Sequence, residues 1–488
     1  MLGIIESILL AFRECFSREK SFKWFTVSIS ALMLRSDKLG ITSIIRDLDL
    51  HHKCYECLDH FFHSAAFDLK AIRQRWYEVI ASRAPMCQIA ERKILLGDGV
   101  KQSKEALRMP GVKKLHQESE TCSKPEYIHG HMFGAVCVVV SNALKKFSLP
   151  LKINLQDGLK TVASWNEAKG LVDISAKSHV EQMIESGFEA AKNIGKSFFV
   201  LDRYFLTRPA IILMNNLNKQ CHRTDGNLIE IITKAKVNCT AYEPPVHVKG
   251  AKGRPRKRGN AVKLWELFSQ TGLFQSAAVM MYGKEETISY HCVNLLWGPK
   301  LYQELRFVLV KFGGKRSILV STDTSLDPLK IIELYSIRFG IEECFREFKQ
   351  QLGGFSYHFW TKSLPKLSHF AKKGDPDPLE SVKNGHDRKK IVETIRAIES
   401  FVMYSSIAMG TLQLLALNKE TRDEVVASRY LRTKSNKTPS EATVMYYLRK
   451  RFISLLNATP QSFITQYIRE KQMPMPDIKN DDMNEKAA

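Results

Sequence analysis

From residue 92 onward the chain contains short apolar runs, at 94–96, 133–140, 147–155 and 198–201, each shorter than a buried helix needs. Such runs read as strands. Helical spacing at 180–192 precedes the fourth run, and helical spacing at 210–217 follows it. Strands and helices sharing one stretch of chain bury their apolar faces as a sheet with helices packed on it, which makes this an α/β protein with a mixed sheet. Runs at 228–232, 277–281, 305–310 and 317–320 again favour strands and surround a basic, glycine-rich loop, the pattern of a β-rich insertion. Residues 1–85 carry helical spacing almost throughout, anchored by Trp24, Phe25, Phe61, Phe62 and Trp76. Helices are also expected over 329–351, 391–417 and 444–456, with a polar Pro/Gly/Asp linker at 374–390 and a disordered tail after 473.

Charge narrows the partners. Seventy-three Lys and Arg against 51 Asp and Glu give a formal charge of +22, a field that attracts polyanions. Ten cysteines, scattered without the dense even spacing of a small secreted scaffold, fit a reducing cytoplasm. The N-terminus reads as a helix of the mature protein, because Glu6 interrupts its apolar stretch and no basic region precedes it. The apolar stretch at 25–34 falls short of the roughly 20 residues that span a bilayer, so no membrane segment is expected. No phosphate-binding loop and no Ser/His/Asp pattern is present, which removes a nucleotide cofactor from the expectation.

The segment ELYSIRFGIEECFREFKQQ places Tyr335, Arg338, Glu342 and Lys349 at steps of three, four and seven. At about 100° per residue these four side chains fall within an arc of about 60° on a helix. A carboxylate flanked by two cations can ligate a metal while the cations neutralise approaching phosphates. The same pattern also describes a solvated face with an Arg338–Glu342 ion pair, and periodicity alone leaves both open. Two upstream acids bear on the choice. Asp98 follows an apolar run and stands between Gly97 and Gly99, while Asp202 closes the run in KSFFVLDRYF. A carboxylate at a strand end is well placed to hold a cation, and a hard ion such as Mg²⁺ takes few carboxylates and keeps water and phosphate in its other positions.

Together, Tyr335-x2-Arg338-x3-Glu342-x6-Lys349, the GDG at Asp98 and the LDRYF at Asp202 resemble the Tyr-Arg-Glu-Lys signature of bacterial insertion-sequence transposases of family four, which are DDE enzymes. The resemblance spans residues 90–365 and implies a ribonuclease-H-like catalytic core whose sheet carries two aspartates, with a β-rich insertion before the glutamate helix. It implies Asp98, Asp202 and Glu342 as catalytic residues and metal ligands for two Mg²⁺ ions, with Mn²⁺ as a substitute. Tyr335, Arg338, Lys349 and Arg203 would contact DNA near the cleaved phosphate. Tyr204 and Phe205 depart from the family's pattern and receive no role. The implied division is a helical DNA-binding domain at 1–88, a core at 89–236 and 306–365, the insertion at 237–305, a C-terminal helical region at 366–472 and a tail at 473–488.

On this resemblance the partners are double-stranded DNA, as element ends and target, and a second copy in a synaptic dimer. The setting is a bacterial cytoplasm at the nucleoid. Two ions about 4 Å apart activate a water or a 3′-hydroxyl on one side and stabilise the leaving oxygen on the other. A ribonuclease-H-like nuclease without strand transfer and an inactive DNA-binding derivative of a transposase are the rivals. The run at 249–258, with Arg254, Arg256 and Arg258, resembles an AT-hook core that enters a narrow minor groove, and is otherwise a solvated basic loop. Trp297 is a candidate for holding a flipped base, against the commoner fate of burial. Cys54, Cys57, His60 and His63, stepping by three, spread around half a helix and cannot converge on one tetrahedral ion.

Overall fold

The computed structural model describes residues 1–117, 126–221, 223–246, 256–368, 376–429 and 438–472, with the backbone alone at 427–429. Arg254 and the tail at 473–488 lie outside the described residues. The fold is mixed α/β, with a large, mostly antiparallel sheet and flanking helices. Nine of its strands matter here: β1 Arg92–Ser103, β2 Tyr127–Ser141, β3 Lys146–Leu155, β4 Ser197–Leu201, β5 Ile229–Lys234, β6 Gln275–Met281, β7 Lys284–Trp297, β8 Gln303–Phe312 and β9 Lys315–Ser321. They lie side by side as β3-β2-β1-β4-β5-β9-β8-β7-β6. Only β1 with β4 and β4 with β5 run parallel, so the carboxyl ends of β4 and β5 open toward the same edge as the middle of β1.

Glycine decides how tightly the centre packs. A Cβ on Gly97 would stand 2.5 Å from the Phe199 ring, and one on Gly99 would collide with Met132 and crowd His179. Side chains alternate along a strand, so Gly97 and Gly99 give up the face that the helix His179–Ile194 covers, and Asp98 points to the other. That helix begins with a reciprocal cap between Ser178 and Glu181. Gly97→Ala should therefore lower stability by about 1–3 kcal/mol through overpacking, read as a fall in the urea midpoint, whereas Gly195→Ala, with open space around it, should show only the backbone cost of its positive φ.

We label the remaining helices used below α1 Glu19–Leu32, α2 Leu69–Arg83, α3 His179–Ile194, α4 Pro328–Ile337, α5 Phe339–Glu347, α6 Gly385–Leu417 and α7 Glu441–Ala458. One continuous core joins α1 and α2, the central sheet and α6. Trp76 of α2, fully buried, donates from its indole nitrogen to the Pro150 carbonyl on β3 at 2.9 Å, and Phe25 of α1 meets Tyr404 of α6 edge-on. The helices before residue 88 thus share buried contacts with the sheet. The insertion's strands build a second, smaller cluster around Phe268, Leu305 and Phe307.

Three elements differ from expectation. The helix expected over 329–351 is a helical path in three parts: α4, α5 and a π-helical turn at Phe348–Leu352, with the first break at Arg338. Arg338 keeps helical angles, but its amide bonds back only three residues to Tyr335, a tightened turn. The polar linker ends sooner than residue 390, because Asn384 caps the His386 amide and starts α6 there. β7, a strand of 14 residues, was not expected, since its first half is polar and its pairing partners lie on both sides. Among the described residues α6 alone is long and apolar enough to cross a membrane, and 94 % of its most apolar window is buried among its neighbours.

Candidate active site

The last parallel pair between β1 and β4 is Gly97 with Leu201, so Asp98 and Asp202 are the next residues on two adjacent strands. Neighbouring strands lie about 4.8 Å apart, which is why two acids far apart in sequence come to stand side by side. The third acid arrives from the opposite layer. α5 lies close over the sheet because Gly340 leaves room for Ser148 of β3 and Leu96 of β1, two residues before Asp98 on the same face. Arg338 then bridges the groups: its guanidinium donates to Asp98 at 3.2 Å and to Glu342 at 2.5 Å.

Electrostatics report the same convergence. The Asp98 carboxyl is pushed up to about 6, first by burial and then by the nearby charges of Asp202 and Glu342, with Arg338 and the Gly99 amide pulling the other way. Arg338 in turn feels all three carboxylates and the Tyr335 phenol, and is held above its ordinary value despite partial burial. Tyr335 is pushed up to about 12 by burial and bonds Arg338, so it stays a neutral donor.

Asp98, Asp202, Glu342, Tyr335 and Arg338 are therefore brought together. Arg203 lines the adjoining cleft of about 330 Å³ with Asp202, Tyr335 and Arg338. Lys349 sits in the π turn and donates to the Lys101 carbonyl on β1 at 2.9 Å, three residues beyond Asp98. Trp297, at the end of β7, packs against the insertion's apolar cluster and is not part of that cleft. Arg256 and Arg258 lie in the insertion on a different concave surface. Cys54 and His63 fall on the helix Cys54–His63, the thiol turned to the Lys471 carbonyl and the imidazole to that of Asp59.

Lys234, Tyr282 and Phe339 also line the cleft and carry no site assignment from sequence. Lys234, the last residue of β5, faces Asp202, Arg203 and Arg338; burial and the two arginines hold its ammonium below the usual range. Its signal was available, because ligands gather at the carboxyl ends of parallel strands and β5 is the third in that set. Tyr282, 67 % exposed at the tip of the β6–β7 hairpin, reaches the cleft beside Phe339, which is 51 % exposed. Neither hairpin contact nor exposure is readable from sequence.

Among the described residues, no three His, Cys, Asp or Glu side chains stand close enough together to hold a metal ion. The positive charge shared by Asp98 and Glu342 is the Arg338 guanidinium. Three carboxylates around one cationic group are nonetheless the donor chemistry of a hard divalent ion. Glu342, with its side chain 43 % exposed in the first turn of α5, is held to Arg338 at 2.5 Å. Compared with known proteins, the chain matches no family model, no curated protein and no solved structure.

Proposed function

We propose that this chain is a DDE transposase, which cuts the ends of a mobile element and joins them to target DNA by two-metal-ion phosphoryl transfer. One observation carries the reading: Asp98 and Asp202 each follow the last pair, Gly97 with Leu201, of two adjacent parallel strands, and Arg338 ties Asp98 to Glu342. A ribonuclease-H-like core is part of the proposal. It is supported by a sheet that carries both aspartates and by the inserted strands β6–β8 that precede the glutamate helix.

Asp98, Asp202 and Glu342 would hold the divalent ions, Mg²⁺ or Mn²⁺ in its place. When bound, such ions would supply Lewis-acid stabilisation of the nucleophile and the leaving oxygen. The chain's own groups do the rest. Arg203, Lys234 and Arg338 line the cleft beside Asp202, so a phosphodiester entering it meets positive charge next to the carboxylates. Tyr335, kept protonated, donates a hydrogen bond to a phosphate oxygen. The exposed rings of Tyr282 and Phe339 at the rim offer stacking faces to a base pulled from the duplex.

The test uses the DNA bracketing the gene. Purified full-length protein with Mg²⁺ and a labelled duplex carrying the element's terminal repeat should nick that end and covalently join it to a supercoiled target. Hydrolysis without joined product would establish the nuclease rival. End binding with no metal-dependent breakage would establish the inactive derivative.

A further inference from the structure

A second surface on this chain has the chemistry of a nucleic-acid contact. Arg256, Lys257, Arg258, Lys300 and Tyr302 line one concave patch of about 740 Å³. All four cations are exposed. Of the carboxylates close to them in sequence, Glu266 pairs with Lys263 at 3.0 Å, Glu243 accepts from the neutral Asn260 amide at 2.9 Å and Glu304 is exposed, so four cations stand against two unneutralised acids. The patch therefore presents its charge to solvent, and a ligand that satisfies it must carry several negative charges in a row.

The patch is also built to hold a shape. The Arg258 guanidinium lies 4.1 Å from the centre of the Tyr242 ring and 5.6 Å from that of Tyr302, and the two rings meet edge to face. Tyr242 is fixed in the sheet by pairing with Leu296 on β7 and Ala261 on the other side. Lys300 and Tyr302 stand on a turn closed by the Leu301 and Tyr302 amides on the Gly298 carbonyl, at 3.0 and 2.8 Å. Both have left-handed backbone angles, φ 71° and 48°, which non-glycine residues adopt only under constraint. The turn after β7 thus delivers a lysine and a tyrosine to a cluster encoded some forty residues earlier.

We propose that Arg256, Lys257, Arg258 and Lys300 grip the phosphate backbone of double-stranded DNA outside the catalytic cleft, with Tyr242 and Tyr302 holding Arg258 rigid as a donor. The proposal rests on the transposase reading for the identity of its ligand. The grip is sequence-independent, because Arg and Lys reaching phosphates position a duplex without reading bases.

The experiment measures binding of the full chain to a labelled duplex of scrambled sequence, by fluorescence anisotropy in chelator across a series of KCl concentrations. Each phosphate contact contributes about −0.9 to the slope of log K against log salt. Arg256→Gln with Lys257→Gln should reduce the slope by about 2 and Lys300→Gln by about 1, whereas Lys263→Gln, on the same insertion but paired with Glu266, should leave it unchanged. Unchanged slopes in the first two variants, with unchanged thermal melts, would overturn the proposal. So would equal loss of binding to a polyglutamate peptide of matched charge with no loss for the duplex, since that assigns the patch to an acidic protein partner. Failure here is separable from failure of the catalytic reading: a protein that never breaks DNA, yet loses salt slope in these variants, keeps this contact and loses only the chemistry.

Discussion

Asp98→Asn, Asp202→Asn and Glu342→Gln should each reduce Mg²⁺-dependent DNA breakage by about 10³-fold or more, since a bound metal supplies several kcal/mol of charge stabilisation and each 1.36 kcal/mol is tenfold in rate. Asp98→Asn should at the same time make the metal-free protein more stable. Burial, with the charges of Asp202 and Glu342 beside it, raises the Asp98 carboxyl from 3.8 to about 6. The folded value exceeds the unfolded one, so the native state binds the extra proton in that window. The stability Asp98 contributes is complete below 3.8 and is lost as pH rises through 6. At about 1.4 kcal/mol per pH unit the displacement corresponds to roughly 3 kcal/mol, a ceiling for a side chain that keeps some exposure. Thermal melts in chelator should show Asp98→Asn above wild type at pH 7.5, with the gap closing by pH 4. An asparagine variant that melts lower than wild type at pH 7.5 would mean that the carboxylate stabilises the site, and the account of its charge would be wrong.

The two halves of that site differ in how far the sequence disclosed them. An apolar run ending in an acid is a local signal, and it places Asp202 at the end of β4, whereas Asp98 stands inside β1, which runs on to Ser103. Their adjacency needed the parallel register of Gly97 with Leu201, which no local pattern carries. Glu342 and Arg338 share a helical face in sequence, and their bond at 2.5 Å follows from that spacing. What the spacing could not reveal is the tightened turn at Arg338 and the wider turn at Phe348–Leu352, because both arise from how the segment is packed rather than from its own residues. Lys234, Tyr282 and Phe339 come to the cleft from a strand end, a hairpin tip and a helix start, and only tertiary structure assembles them. Trp297, at the end of β7, is partly buried against the apolar cluster of the insertion.

Arg35 supplies the other large expected effect, and it connects the N-terminal helices to the chemistry. It follows α1 and is 1 % exposed. Its guanidinium donates to the Leu352 carbonyl at 2.6 Å and the Gly353 carbonyl at 2.5 Å. Those are carbonyls at the end of the helical path that carries Glu342, where Gly353 turns left-handed and helical partners run out. Burial holds the arginine down to about 10, still charged at neutral pH, and the Phe401 ring of α6 lies 5.4 Å away. Arg35→Met keeps the packing volume but takes the guanidinium donor from the buried Leu352 carbonyl, worth about 1–3 kcal/mol, while the Gly353 carbonyl keeps the Ser356 amide at 2.9 Å. Urea unfolding followed by tryptophan fluorescence should therefore shift by about 1–3 kcal/mol, in a single transition because one core joins these elements. Breakage measured where the variant is still folded should fall severalfold, since the far end of the glutamate helix is no longer pinned, while the salt dependence of duplex binding stays that of wild type. A change below about 1 kcal/mol would show that water replaces the guanidinium there and that the clamp is dispensable. Two separate unfolding transitions would show instead that the N-terminal helices melt as their own unit, and the link from Arg35 to Glu342 would then fall with the first of them.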